Sequence, residues 1–169
     1  MHRVKIHQGD INRLAVDAIV SVNKSAAQLC ELSKAMVMSA RVGAGCSLSA
    51  SYKTHYSVED VVIGSADDLP AEMVIYTIGP TWHGGDYEEE QQLASCYYNA
   101  MEAAKKHDLK SIAFPTISCG ALGFPARRAV KIAIYEVNQA LRQNPLLELV
   151  VFCCLDPVTT ALYRNQMGK

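Results

Sequence analysis

The chain has 169 residues, of which 50% are hydrophobic and 20% are charged, so it is long enough to bury one core and is expected to form one domain. Lys and Arg number 16 against 17 Asp and Glu, a net charge of −1. This balance gives no bulk attraction to nucleic acid or to an anionic membrane, and we expect neither as a partner.

The six cysteines have no CxxC spacing and no His-rich neighbourhood, which favours reduced thiols over a metal site. The N-terminus has no apolar signal core, and no apolar run is long enough to cross a bilayer. We therefore expect a cytoplasmic protein (nuclear if the source is eukaryotic), monomeric and without a metal or cofactor.

Strand and helix patterns alternate along the chain. Runs of apolar and β-branched residues predict strands at 4–8, 16–22, 58–66, 72–79, 111–117 and 147–155. Apolar residues that repeat at three and four predict helices at 25–40, 87–109, 125–141 and 159–167, with Pro125 at a first helical position. Helices between buried strands predict an α/β fold, a three-layer α/β/α sandwich with a mixed, largely parallel central sheet, in a single domain spanning residues 1–169.

The stretch "FPTISCGALGFP", residues 114–125, leads from a strand to a helix, where α/β sheets bind ligands. Its two glycines can take positive φ and let a ligand approach the main chain. The N–H groups of residues 118–121 can then face a phosphate at the positive end of the helix, with Phe124 over a ribose or base. A tight turn with a core Phe and nothing bound is the alternative. A helix N-terminus would also lower the pKa of the Cys119 thiol.

Other stretches agree with a nucleotide site. They occur in one order and spacing: "GDI" at 9–11, "VDAIV" at 16–20, "LPAEMVIYTIGPTWHGG" at 69–85, "SIAFPTISCGALGFP" at 111–125 and "VVFCCLD" at 150–156. Together they resemble the macro domain family over nearly the whole chain. Its members are ADP-ribose-binding modules, some of which deacylate O-acetyl-ADP-ribose or hydrolyse protein-linked ADP-ribose.

The resemblance implies a ligand, ADP-ribose or an ADP-ribosylated protein, and a set of contacts. Asp10 would accept a hydrogen bond from the adenine amino group, with the Ile11 N–H beside it; a turn or cap acid is the alternative for Asp10. Residues 118–123 would wrap the diphosphate through backbone amides. The predicted ligand-binding residues are Asp10, Ile11, Ser118, Cys119, Gly120, Ala121, Leu122, Gly123 and Phe124.

The sequence departs from the family pattern where the family does its chemistry. Most members continue from "VDAIV" with Asn-Ala-Ala-Asn, several glycines and an Asp. Here Lys24 falls at the second Asn, no glycine occurs between Gly9 and Gly43, and Lys34 or a neighbour replaces the Asp. Good helix formers fill this segment and predict a helix from about Ser25 in place of a pliant loop. Leu122 and Leu155 also stand where aromatic residues are usual.

These departures predict a divergent macro domain that binds ADP-ribose or a related adenine nucleotide diphosphate with weakened affinity and hydrolyses it poorly. No catalytic residue is assigned. Two alternatives stay open. One is an active hydrolase or deacetylase with a rearranged site that uses Asn23 or Glu31. The other is a fold that has lost the nucleotide and binds protein or nucleic acid instead.

Overall fold

A computed structural model describes residues 3–23, 61–66, 68–120 and 122–168. The predictions on residues 24–60, namely the helix from Ser25 and the roles of Lys24, Glu31 and Lys34, lie outside the described residues. Ala121 does so as well. The side chain of Asn23 is likewise not described.

Six described strands form one sheet. They are β1 (Val4–Gln8), β2 (Ala18–Asn23), β3 (Val61–Ser65), β4 (Met73–Ile78), β5 (Ser111–Phe114) and β6 (Leu149–Cys154), arranged in the order β1-β6-β5-β2-β4-β3. Neighbouring strands are parallel, except that β3 runs antiparallel to β4. The mixed, largely parallel sheet expected from the sequence is confirmed.

Both faces of the sheet are buried. Alternate residues of one strand enter different clusters: Ile112 and Phe114 of β5 face one core, whereas Ala113 faces the other. The described helices, α1 (Glu89–Lys106), α2 (Ala126–Gln143) and α3 (Pro157–Gln166), contribute to the first core, and a short 3-10 helix follows β1. This burial on both faces explains why the strands read as continuous apolar runs.

Element ends differ from the predicted ones for local reasons. β5 stops at Phe114, three residues early, because Pro115 has no N–H to donate and Ser118 takes a positive φ of 66°. Pro125 is the N-cap of α2, with ψ 121°, and not its first helical residue. α3 begins two residues before the predicted start, because the Asp156 side chain accepts a hydrogen bond from the Thr159 N–H at 2.7 Å.

The first core is centred on aromatic side chains that join β5, β6 and α3. Phe152 is 1% exposed, with its ring centroid 4.6 Å from Tyr163 and 6.3 Å from Phe114. Since this packing holds the strands whose carboxyl ends carry the site, losing it should loosen the whole sheet.

Phe152→Ala is expected to lower the free energy of unfolding by about 3–5 kcal/mol, because it leaves a cavity in this cluster. Urea unfolding measures the loss. Leu146→Ala, at a position 59% exposed in the turn before β6, is the control and should change stability by less than about 0.5 kcal/mol. Equal effects of the two substitutions would contradict the assignment of Phe152 to the core.

Candidate functional site

The parallel strands end at one edge of the sheet, and three described loops meet that edge. They are residues 9–14 after β1, 79–88 after β4, and 115–125 after β5. In sheets of this type the crevice beyond the carboxyl ends of the strands binds ligands. Eight of the nine predicted ligand-binding residues lie in the first and third of these loops, and the ninth, Ala121, is outside the described chain.

Asp10 lies at the end of β1 and is exposed. Its Oδ1 accepts a hydrogen bond from the Asn12 N–H at 2.9 Å and caps the 3-10 helix, so the alternative of a cap acid is confirmed for this oxygen. The turn is held on β6 through Gly9, whose N–H donates to the Cys154 carbonyl at 2.9 Å. The Ile11 N–H begins the 3-10 helix and has no acceptor among the described residues. The predicted contacts to adenine remain a prediction.

Residues 118–124, here called the β5 loop, form a tight turn with two internal hydrogen bonds. The Gly123 N–H donates to the Gly120 carbonyl at 3.1 Å, and the Phe124 N–H donates to the Ser118 carbonyl at 2.9 Å. These two amides are therefore not free to bind a phosphate. The N–H groups of Ser118, Cys119, Gly120 and Leu122 have no hydrogen-bond acceptor in the described chain.

The ring of Phe124 belongs to the core. It is 2% exposed and packs against Trp82, with ring centroids 4.8 Å apart. The alternative of a core Phe in a tight turn describes this side chain, and the expectation of a ring over a ribose or base is wrong for it. Hydrophobic pattern alone could not separate the two, because the residue stands in a glycine-rich loop.

The pKa of the Cys119 thiol is shifted in the direction opposite to the one predicted from the sequence. Burial, with smaller contributions from the nearby Asp156 carboxylate and Cys154 thiol, raises the pKa of the Cys119 thiol to about 12. The expected lowering of this pKa by the α2 N-terminus is wrong, because burial penalises the charged thiolate and the neighbouring groups are acidic. In the described part of the chain Cys96, Cys119, Cys153 and Cys154 are free, as expected.

Trp82, in the loop after β4, is a site residue that the sequence did not single out. The backbone N–H of Trp82 donates to the Leu122 carbonyl at 2.8 Å. The Trp82 ring contacts the Phe124 ring, and the Arg128 guanidinium carbon lies 5.5 Å from the Trp82 ring centroid. Gly79, at the start of the same loop, has no room for a Cβ, which would collide with Ser118 Oγ. The only signal in the sequence was a lone Trp between a proline and two glycines.

Glu89 is the second residue missed. Glu89 lies in the first turn of α1, but it is only 1% exposed and its carboxylate faces the preceding loop. Oε2 accepts hydrogen bonds from the N–H groups of His83 at 3.0 Å and Gly85 at 2.7 Å, and Oε1 from that of Tyr87 at 2.6 Å. Burial alone would raise the pKa of this carboxyl, but the three N–H groups outweigh burial and hold the pKa below its ordinary value.

An open cavity of about 710 Å³ lies beside this loop. Its lining residues belong to the loop and to α1: Thr81, His83, Tyr87, Glu89 and Gln92. None of the eight predicted ligand-binding residues that the structure describes lines it. Within the described ranges no group of three His, Cys, Asp or Glu side chains could hold a metal ion, and no helix is long and apolar enough to cross a membrane.

Comparison with known proteins agrees with the fold. The profile of the Macro domain family matches residues 22–133. A macro domain-containing protein of Methanosarcina mazei is 40% identical over 170 residues, covering 99% of this chain and 89% of that protein. An O-acetyl-ADP-ribose deacetylase of Citrobacter koseri is 37% identical over 174 residues, covering 99% of this chain and 96% of that protein. The solved Oceanobacillus iheyensis macrodomain with ADP is 26% identical, with a TM-score of 0.76 over 96% of this chain and 88% of that one.

Because the pKa of Glu89 is lowered in the folded protein, the contribution of this residue to stability should depend on pH. A carboxyl whose pKa is lower in the folded than in the unfolded state stabilises the fold above its unfolded pKa, and this contribution is lost as the pH falls through the folded pKa. Glu89→Gln is therefore expected to lower the Tm at neutral pH, and its difference from wild type should shrink below about pH 4. Thermal unfolding across an acid series measures this. A difference in Tm that does not change with pH would show that the charge of Glu89 is not responsible.

Proposed function

Because the chain belongs to the macro domain family, we propose that it binds ADP-ribose or a related adenine nucleotide diphosphate, free or attached to a protein. The observation that carries the proposal is the set of four N–H groups in the β5 loop, from Ser118, Cys119, Gly120 and Leu122, that have no acceptor in the described chain. The solved relative with ADP supports a ligand of this class.

The diphosphate is assigned to the β5 loop. Residues 118 and 123 take φ values of 66° and 76°, and such left-handed positions let successive N–H groups converge on an anion. The loop leads directly into α2, an 18-residue helix that has no side-chain cap at its N-terminus. The first-turn N–H groups of Ala126 and Arg127 add two further donors without an acceptor in the described chain. The positive end of the helix dipole favours an anion there.

The adenine is assigned to Asp10 and Ile11. Only one oxygen of the Asp10 carboxylate is used by the cap, so the other can accept a hydrogen bond from an exocyclic amino group. A base with a carbonyl at that position would place an acceptor against a carboxylate, which is unfavourable. The Ile11 N–H can donate to a ring nitrogen beside it.

Selectivity for the amino-bearing base tests the adenine assignment. The protein is expected to bind ADP more tightly than inosine diphosphate, and Asp10→Asn should weaken ADP binding about tenfold, because the single Asn oxygen stays in the cap and an NH₂ donor replaces the oxygen that faced the adenine amino group. Asn caps a helix as well as Asp does, so the turn should stay intact. Calorimetry measures both ligands, with Asp68→Asn, an exposed acid in the turn before β4, as the control.

An Asp10→Asn protein that binds both nucleotides as wild type does would remove Asp10 from the site. A folded wild-type protein that gives no saturable heat with ADP-ribose at millimolar concentration would remove the binding function itself.

The proposal includes poor hydrolysis, since the sequence has Lys34 or a neighbour in place of the family Asp and lacks the family glycines. The relative from Citrobacter koseri carries the name of a deacetylase, and this likeness favours an active enzyme as the second candidate.

Turnover separates the two candidates. We expect only slow release of acetate from O-acetyl-ADP-ribose and of ADP-ribose from a modified protein, close to the uncatalysed rate. Product analysis by mass spectrometry checks both substrates. Turnover that disappears in Asn23→Ala or Glu31→Ala would establish the second candidate and contradict the first.

The wider setting of the proposal follows from the sequence. We propose one domain, a monomer in the cytoplasm, whose partner is ADP-ribose or an ADP-ribosylated protein, with no nucleic acid or membrane partner. The net charge of −1 supports the last point.

A further inference from the structure

A carboxylate of the protein fills a ring of backbone donors next to the proposed site. The His83, Gly85 and Tyr87 N–H groups converge on the two oxygens of Glu89 at 2.6–3.0 Å. A carboxylate can accept all three, because both of its oxygens carry only lone pairs. Residues 83–87 are therefore fixed as one turn on the first turn of α1.

The fixed turn sets the position of Trp82. Gly84 and Gly85 hold φ values of 95° and 93°, which side chains rarely adopt. Gly85 lies so close to the Trp82 ring that an added Cβ would be 3.0 Å from its Cη2. Because Gly85 and the Trp82 ring are packed closely, a shift of the turn would displace the ring.

Trp82 in turn holds the β5 loop. The Trp82 backbone N–H donates to the Leu122 carbonyl at 2.8 Å, and the Trp82 ring packs on Phe124. A Cβ added to Gly123 would lie 3.9 Å from the Trp82 Cβ. In the β5 loop, Trp82 contacts the Leu122 carbonyl and the Phe124 side chain, not the backbone N–H groups. These contacts leave the N–H groups of Ser118 and Gly120 unused.

We propose that Glu89 is a positioning residue for nucleotide binding, which acts through Trp82 to hold the β5 loop in the shape that receives a diphosphate. The inference rests on the proposed function. Glu89 and Trp82 are not assigned contacts to the ligand. A loop that is already ordered loses less conformational freedom when it binds, so affinity for the phosphates falls when the order is lost.

Glu89→Gln is the sharpest variant, because Gln has nearly the same shape. Its amide NH₂ replaces one acceptor oxygen, so at least one of the three N–H groups faces another donor. Glu88→Gln is the matched control: it removes the same charge one residue earlier, from an exposed side chain that makes no cap hydrogen bond. If the Glu89 variant does not fold, Gly85→Ala displaces Trp82 by another route and leaves the carboxylate in place.

The test compares two ligands by calorimetry at a temperature below the Tm of every variant. ADP-ribose binding to Glu89→Gln should be about tenfold weaker than to wild type, whereas binding of adenosine, which has no phosphates, should change by less than about twofold. A general loss of structure would weaken both ligands alike. Equal losses, or unchanged ADP-ribose binding, would overturn the proposal.

Two measurements on the ligand-free protein keep the inference separate from the proposed function. The chain has 1 Trp, so its fluorescence reports Trp82 alone. In Glu89→Gln the emission should shift to the red, and hydrogen exchange at the Gly123 and Phe124 amides should become faster, neither of which should occur in Glu88→Gln. If wild type binds no ADP-ribose, the proposed function fails, and unchanged emission and exchange in Glu89→Gln would overturn the positioning role as well.

Discussion

Backbone N–H groups at the carboxyl edge of the sheet need acceptors, and two of the loops that meet there differ in whether the described chain provides them. In the turn 83–87 three N–H groups bind the carboxylate of Glu89, an anion from the protein itself. In the β5 loop the N–H groups of Ser118, Cys119, Gly120 and Leu122 have no acceptor in the described chain. The first loop is thus fixed by the protein itself, and we propose that an external anion completes the second.

The order of the strands places Asp10 and the β5 loop at the same edge of the sheet. β1, which leads to Asp10, is separated from β5 by β6 alone. Neighbouring strands lie about 4.8 Å apart, so the ends of β1 and β5 are separated by about 10 Å. This distance is compatible with the proposal that one extended nucleotide contacts the Asp10 carboxylate at one end and, at the other, the β5-loop amides that have no acceptor in the described chain. β2 and β4 continue the same edge beyond β5, which is how the loop that carries Trp82 comes to lie beside the β5 loop.

The sequence predicted the strands, the mixed sheet and the position of the β5 loop, because burial on both faces leaves apolar runs that are read directly. It did not predict which side chains the loops would bury. Phe124 and Glu89 look exposed in their local sequence, but each is buried by a loop that is distant in the chain or by the preceding turn. The pKa of Cys119 was predicted in the wrong direction for the same reason, since desolvation depends on packing that spacing does not encode.

Amide chemical shifts on addition of ADP-ribose test the central claim most directly. In ¹⁵N spectra of the labelled protein, the Ser118, Gly120 and Leu122 amides are expected to move downfield as they gain a phosphate acceptor, and the Gly123 and Phe124 amides, already bonded within the loop, are expected to move less. Saturable binding that leaves the first three amides unmoved would place the diphosphate elsewhere and contradict the account.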